Sequence, residues 1–127
     1  FITIQYEVAL RLLSKVDGKE WGVLSILAQR LADIALITKV PNSCFWPQPK
    51  IQSACISVIP KDNINRENAS DFAKFVTSLF SKRRKQIGSI VGRSIQWPEG
   101  ITDDVRPSTL TINQLEALME VVRISSN

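Results

Sequence analysis

Val40-Pro41-Asn42-Ser43-Cys44-Phe45-Trp46-Pro47-Gln48-Pro49-Lys50-Ile51-Gln52-Ser53-Ala54-Cys55-Ile56 divides into segments with different physics. Pro47 and Pro49 each hold φ near about −65° and lack a backbone donor, so residues 45–49 can be neither helix interior nor central strand. Before them stand two adjacent aromatics, Phe45 and Trp46, on what must be a stiff loop. After them, Ile51 to Ile59 is rich in β-branched and small residues without Gly or Pro, and reads as a buried strand. A stiffened loop that presents an aromatic at the end of a strand suits a flat ligand. It equally suits a loop whose Phe and Trp cover the edge of the core.

On the upstream side, Ile34 to Val40 reads as a short buried strand that Pro41 stops. The two strands, joined by this loop, are expected to be antiparallel neighbours at the edge of an α/β sheet. Ile4, Val8, Leu12 and Leu13 fall at helical spacing with Gln5, Glu7 and Arg11 opposite, which predicts an amphipathic helix over residues 3–15. Asp17-Gly18 ends it. A second helix is predicted from Trp21 to about Asp33, with Leu24, Leu27, Ala28 and Leu31 on one face.

Downstream, the polar run Pro60-Lys61-Asp62-Asn63-Ile64-Asn65 marks a boundary, giving domains 1–60 and 61–127. Beyond it the pattern is helical. Asn68 or Ser70 can cap a helix whose Phe72, Phe75, Val76, Leu79 and Phe80 share a face. Further helical segments are predicted over 84–91 and 103–107, with a turn at Trp97-Pro98-Glu99-Gly100 between them. Thr111 and Gln114 have the spacing of a capping box at the head of a last helix that runs to about Ile124.

With 127 residues, 44% of them hydrophobic and 22% charged, the chain has the composition of a globular protein that can bury a moderate core. No apolar run approaches the ~18 residues of a membrane span, so no membrane partner is expected. Two cysteines, Cys44 and Cys55, and no His exclude a disulfide framework, a zinc centre and a His-based triad. Reduced, mostly buried thiols in a cytoplasmic protein are expected. The net charge of +4 is modest, but its placement is not even. Lys82, Arg83, Arg84, Lys85 and Arg93 follow one another without an intervening acid, a grouping that suits phosphate contacts or a solvated helix face.

These residues also carry a resemblance. The run V-P-x-x-x-F-x-P-x-P-K-[IV]-x-S-A, which begins at Val40, resembles the loop and strand of the KsgA-type ribosomal RNA adenine N6,N6-dimethyltransferases. Gln5-Tyr6-Glu7-Val8-Ala9-Leu10-Arg11-Leu12 is similar to that family's Q-x-E-V-A-x-R-L. Gly22-Val23-Leu24-Ser25-Ile26-Leu27-Ala28-Gln29 is similar to its G-R-L-S-V-x-x-Q. Phe80-Ser81-Lys82-Arg83-Arg84-Lys85 resembles F-x-x-R-R-K in its small-subunit branch. Four motifs in the right order cover most of the chain.

The resemblance implies a fold: the α/β edge of a Rossmann-type methyltransferase sheet followed by a small all-α C-terminal domain. It implies a function: S-adenosylmethionine-dependent dimethylation of small-subunit rRNA, in ribosome biogenesis, by an enzyme that is monomeric at full length. It assigns Phe45 to one wall of the target-adenine pocket. Lys82, Arg83, Arg84, Lys85 and Arg93 become rRNA contacts, with Lys50 a further phosphate contact beside the pocket. The family's Gly-rich cofactor loop and its N-[LI]-P-Y-like catalytic loop have no counterpart here, and the five glycines form no G-x-G. The chain is therefore expected to be the C-terminal part of such an enzyme, with no catalytic residue or metal ligand of its own and inactive alone. Gln5 and Glu7 are expected to pack rather than react.

Departures from the family pattern are Val23 for Arg, Asn42 for a second Pro, Gln52 for Asp and Gly88 for a basic residue. Those at 23 and 88 reduce the basic surface. Two other readings stand beside this one: the 23S rRNA adenine methyltransferase branch of macrolide resistance, which typically lacks R-R-K, and a non-catalytic RNA-binding or transcription-factor relative.

Overall fold

A computed structural model describes residues 1–48, 50–62, 64 and 67–125. Pro49 of the loop and Asn63 and Asn65 of the expected boundary lie outside them. The chain divides into two compact units, Phe1–Lys15 with Lys19–Ile64, and Val16–Gly18 with Asn65–Asn127.

The first unit is built on a three-stranded antiparallel sheet in the order β1-β3-β2. Its elements are β1 (Ile2–Gln5), α1 (Tyr6–Leu13), α2 (Val23–Leu31), β2 (Ala32–Val40) and β3 (Ser53–Pro60). The single helix expected over 3–15 is thus a strand followed by a helix. Ile2-Thr3-Ile4 is a run of β-branched residues, and Ile2 pairs with Ile56 and Gln5 with Ser53. A ladder to a distant strand outweighs the weak helical preference of Ile and Thr. The Tyr6 N–H then donates to the Gln52 carbonyl at 2.8 Å, so the first helical residue is tied to the same strand entry.

Because strand side chains alternate between faces, Ala54 and Ile56 of β3 turn to one face and are fully buried there. Ala9 of α1 completes that core, and Ile4, Tyr6, Leu12, Leu13 and Ile34 pack around it. Tyr6, Ala9 and Leu13 recur at the spacing that puts one helix stripe against a sheet. β2 and β3 pair from Ala32 with Pro60 to Val40 with Ser53, with an irregularity between Leu36 and Thr38. Neither strand is buried throughout, contrary to the reading of their apolar runs. Leu36 and Ile37 are about half exposed, and Ile59 is 62% exposed. β2 is an edge strand, so its outer side has no neighbouring strand among the described residues.

The second unit consists of helices and turns among its described residues: α3 (Ala69–Phe80), α4 (Ile87–Val91) and α5 (Ile112–Ser125), with a 3₁₀ turn at Pro107–Thr109. Phe72, Val76 and Leu79 of α3 are buried at i, i+4, i+7 spacing, and Leu115, Leu118 and Met119 of α5 are buried at i, i+3, i+4. Asn68 occupies the position before α3 without a side-chain cap hydrogen bond. At α5 the capping box forms as its spacing predicts. The Gln114 N–H donates to Thr111 Oγ1 at 3.1 Å and the Thr111 N–H donates to Gln114 Oε1 at 2.9 Å. The helical segments expected over 84–91 and 103–107 are shorter or displaced, because backbone bonds between the two regions fix where α4 starts. No described helix is long and apolar enough to cross a membrane.

Candidate functional site

The Phe45 loop is closed at its base by the Val40–Ser53 pair of β2 and β3. Pro41 opens it in an extended conformation (φ −60°, ψ 143°), and a 3₁₀ turn follows at Asn42–Cys44. Two backbone bonds hold that turn: Cys44 N–H to the Pro41 carbonyl at 3.0 Å, and Phe45 N–H to the Asn42 carbonyl at 3.2 Å. Phe45 leaves the turn extended (φ −115°, ψ 151°). The Trp46–Pro47 peptide is cis. Phe45 is half-buried, whereas Trp46, Pro47, Gln48 and Lys50 are exposed. Lys39, at the foot of the loop, sets its ammonium 4.4 Å from the centre of the Tyr6 ring, within cation–π range. The Asn42 Oδ1 atom is buried with no hydrogen-bond partner among the described residues.

The motif that includes Gly22, Ser25 and Gln29 has a structural task that its sequence does not reveal. A helix leaves its last carbonyls without intrahelical donors, and α1 ends on Leu13. Gln29 Nε2 of α2 donates to the Leu12 and Ser14 carbonyls, each at 2.8 Å. Ser25 Oγ donates to the Arg11 carbonyl at 2.5 Å, with the Glu20 carbonyl 3.1 Å away, and accepts from the Gly22 N–H at 3.3 Å. The motif thus closes the C-terminal end of α1 with side chains of α2, and so fixes the angle between the two helices. Spacing alone cannot name the acceptors at the end of α1, which lie more than ten residues earlier.

The basic cluster lies on a turn rather than on a helix. Lys82, Arg83, Arg84 and Lys85 occupy the exposed turn between α3 and α4. Lys82 N–H donates to the Leu79 carbonyl at 3.1 Å and Lys85 N–H to the Lys82 carbonyl at 3.0 Å. The Arg83 guanidinium is 5.7 Å from the centre of the Phe80 ring. These are helix-favouring residues, but long-range bonds set where α4 starts. Ile87 N–H donates to the Val105 carbonyl at 2.7 Å and Gly88 N–H to the Asp103 carbonyl at 2.8 Å. Residues 103–105 are thereby held as acceptors for α4, which explains why the expected helical piece at 103–107 gives way to a 3₁₀ turn at Pro107–Thr109.

Arg93 is placed differently from its neighbours in the cluster. Its Nη1 lies 2.8 Å from Asp103 Oδ2, and its Nη2 donates to Gln86 Oε1 at 3.0 Å. Nothing in the sequence pattern singles out Asp103 as that partner. Gly88 sits inside the same clasp. A Cβ there would come within 2.8 Å of the Asp103 carbonyl oxygen and 2.9 Å of Arg93 Nη1. The basic residue usual at this position in the family cannot be accommodated without moving backbone. Phe45 and Lys50 therefore share one loop of the first unit, and Lys82–Lys85 share one turn of the second. Arg93 is engaged within its own unit.

The described strands are antiparallel, and none leads through a Gly-rich turn into a helix. Gly22 begins α2 after a turn, not after a strand. Among the described residues no strand–glycine turn–helix unit of the kind that cradles a nucleotide is present. Among the described residues no group of His, Cys, Asp and Glu could hold a metal ion.

The family model "Ribosomal RNA adenine dimethylase" matches residues 1–123. Among curated proteins, the ribosomal RNA small subunit methyltransferase A of Chlorobium luteolum is 34% identical over 124 residues, covering 96% of this chain and 45% of that protein. The enzyme of the same name from Desulfitobacterium hafniense is 33% identical over 132 residues, covering 95% and 48%. The chain spans about half the length of the curated relatives it matches. In fold it resembles a dimethyladenosine transferase from Plasmodium falciparum, with a TM-score of 0.80 at 19% identity, covering 98% of this chain and 56% of that one. It also resembles, less closely, the 23S rRNA methyltransferase ErmE, with a TM-score of 0.54 at 17% identity, covering 95% of this chain and 53% of that one. The chain belongs to the ribosomal RNA adenine dimethylase family, in the KsgA-type group that its motifs resemble.

Proposed function

We propose that this chain is the C-terminal part of an S-adenosylmethionine-dependent enzyme that dimethylates N6 of adenines in small-subunit rRNA. The observation that carries the reading is the family match over residues 1–123, which includes the Phe45 loop and the basic turn. In this reading residues 1–60 contribute the outer strands of a Rossmann-type sheet, with β2 at its edge. Residues 61–127 form a helical rRNA-binding domain. Cofactor binding lies, in this reading, in the N-terminal half of the full-length enzyme. The full-length enzyme acts as a monomer on the small ribosomal subunit, in the cytoplasm.

The contribution of this chain is positioning rather than proton transfer. A base must leave its stack before its exocyclic amine can be methylated. Phe45 offers the extruded adenine an aromatic face, on a loop whose shape is set in advance by its prolines and its 3₁₀ turn. Such stacking contributes about 1–3 kcal/mol per base. Lys50, on the same loop, and Lys82–Lys85 contact phosphates, which strengthens binding without reading sequence. Arg93 acts through the clasp with Asp103 and adds little to the phosphate contacts.

Methyl transfer from labelled S-adenosylmethionine to small ribosomal subunits tests the reading with the full-length enzyme. Dimethylated adenine is the expected product. Phe45→Ala should lower kcat/KM about 5- to 100-fold while Phe45→Tyr keeps most of it. The 127 residues alone should transfer no methyl group. Failure of the full-length enzyme to label small-subunit adenines would sink the reading.

A further inference from the structure

We infer that Trp46 is a second stacking platform, which takes an unpaired nucleobase flanking the target adenine. The inference rests on the function proposed above. Trp46 is 96% exposed, more than any other large apolar side chain among the described residues. The other two indoles are absorbed by the fold. Trp21 is 1% exposed, and the half-buried Trp97 donates its ring N–H to the Arg93 carbonyl at 3.2 Å. Of the three indoles, Trp46 is the one whose ring faces stay open to solvent.

The loop geometry separates Trp46 from its neighbour. Phe45 is extended, and a residue before proline is confined to extended conformations as well. Consecutive side chains of an extended segment leave on opposite sides of the backbone. That agrees with a half-buried Phe45 beside a fully exposed Trp46. The indole therefore leaves the backbone on the side away from the Phe45 ring, and it faces a different base. Extruding one base also unstacks its neighbours, which then need a new face. Trp provides the largest one and has only two side-chain torsions to immobilise.

Charge favours a nucleic acid over an apolar protein surface. Lys39 stands at the foot of the loop and Lys50 on it, with no carboxylate in the sequence between Asp33 and Asp62, whereas Lys61 at the far end of the hairpin is paired with Asp33. Lys50 is exposed on the same loop. An aromatic among lysines, without acids, is the arrangement that binds unpaired strands by stacking and phosphate contact together.

The test is the affinity of the full-length enzyme for small ribosomal subunits, with Trp46→Ala, Trp46→Phe and Trp46→Leu beside the wild type. The melting temperature of each variant and methyl transfer by the wild type are measured in parallel. Stacking predicts that Trp46→Phe stays within about threefold of wild type, while the Ala and Leu variants bind about 5- to 100-fold more weakly. All variants should melt with the wild type. The inference is overturned if Trp46→Ala binds as wild type. It is also overturned if Leu substitutes as well as Phe, or if Trp46→Ala lowers the melting temperature, since the indole would then pack on protein. If the wild type itself methylates no small-subunit adenine, the underlying functional reading fails as well. If it does, and Trp46→Ala is indistinguishable from it, only the role of Trp46 falls.

Discussion

Asn42 is a residue whose local chemistry fits its surroundings poorly. Its side-chain oxygen is buried without a donor among the described residues, a situation that costs about 1–3 kcal/mol relative to a paired acceptor. It is also the first residue of the 3₁₀ turn under Phe45, where φ is close to the value that proline imposes. The preceding residue, Pro41, already has ψ 143°, which a following proline requires. Asn42→Pro should therefore stabilise the protein by about 0.5–1 kcal/mol, chiefly by restricting the unfolded chain. The check is a higher urea midpoint with an unchanged slope. A fall in midpoint would mean that the side-chain amide holds the loop. Gly88 shows the opposite relation between a residue and the family pattern. There the departure fits the structure, because Arg93 and the Asp103 backbone occupy the space a side chain would need.

At the scale of elements, what was legible and what was not follows from where each hydrogen bond goes. The capping box of α5 is local, Thr111 to Gln114, and could be read from spacing. So could the Phe45 loop, because proline acts on its own backbone and on the residue before it. Periodicity alone hid β1, since its pairing with β3 spans about fifty residues and Ile4 suits either a strand or a helix. The start of α4 could not be read either, since it depends on carbonyls of residues 103 and 105. The same distinction hid the role of Gln29, whose acceptors lie at the end of another helix. Gln29→Ala removes both donors to the end of α1 and should cost about 1–2 kcal/mol in urea unfolding. Gln29→Glu should cost at least as much, because a carboxylate has no hydrogen to offer either carbonyl. If Gln29→Ala unfolds with the wild type, the closure of α1 by α2 is not a stabilising contact.

For the molecule as a whole, charge placement matters more than its sum. The net charge of +4 is small, but the exposed turn at 82–85 concentrates it while Arg93 is offset by Asp103. The two kinds of arginine should separate in a salt series of binding to small ribosomal subunits. For every phosphate left without its arginine, Arg83→Ala/Arg84→Ala should flatten the plot of log affinity against log salt by about 0.7–0.9. Arg93→Ala should leave that slope within error and lower the melting temperature instead. A slope unchanged in both would make the basic turn a solvated surface. Charge placement made the cluster visible in the sequence and the resemblance gave it a partner, but only the fold could tell that Arg93 is clasped by Asp103.

The strand order β1-β3-β2 also bears on the order in which the sheet assembles. β2 and β3 are neighbours in sequence as well as in space, whereas β1 joins the finished hairpin across residues 6–31, a connection about twice as long as the hairpin loop 41–52. Loop-closure entropy rises by about 0.6 kcal/mol per doubling of length, so docking β1 carries about 0.6 kcal/mol more than closing the hairpin. The hairpin should therefore form first and β1 should be the first strand to come away. In hydrogen exchange, the amides of Ile4 and Tyr6, which fall at the hydrogen-bonded positions facing β3, should open at lower free energy than those of β3 that face β2. Equal protection throughout would mean that the sheet opens only as one unit. The earliest strand in the chain is, on this account, the last to be secured.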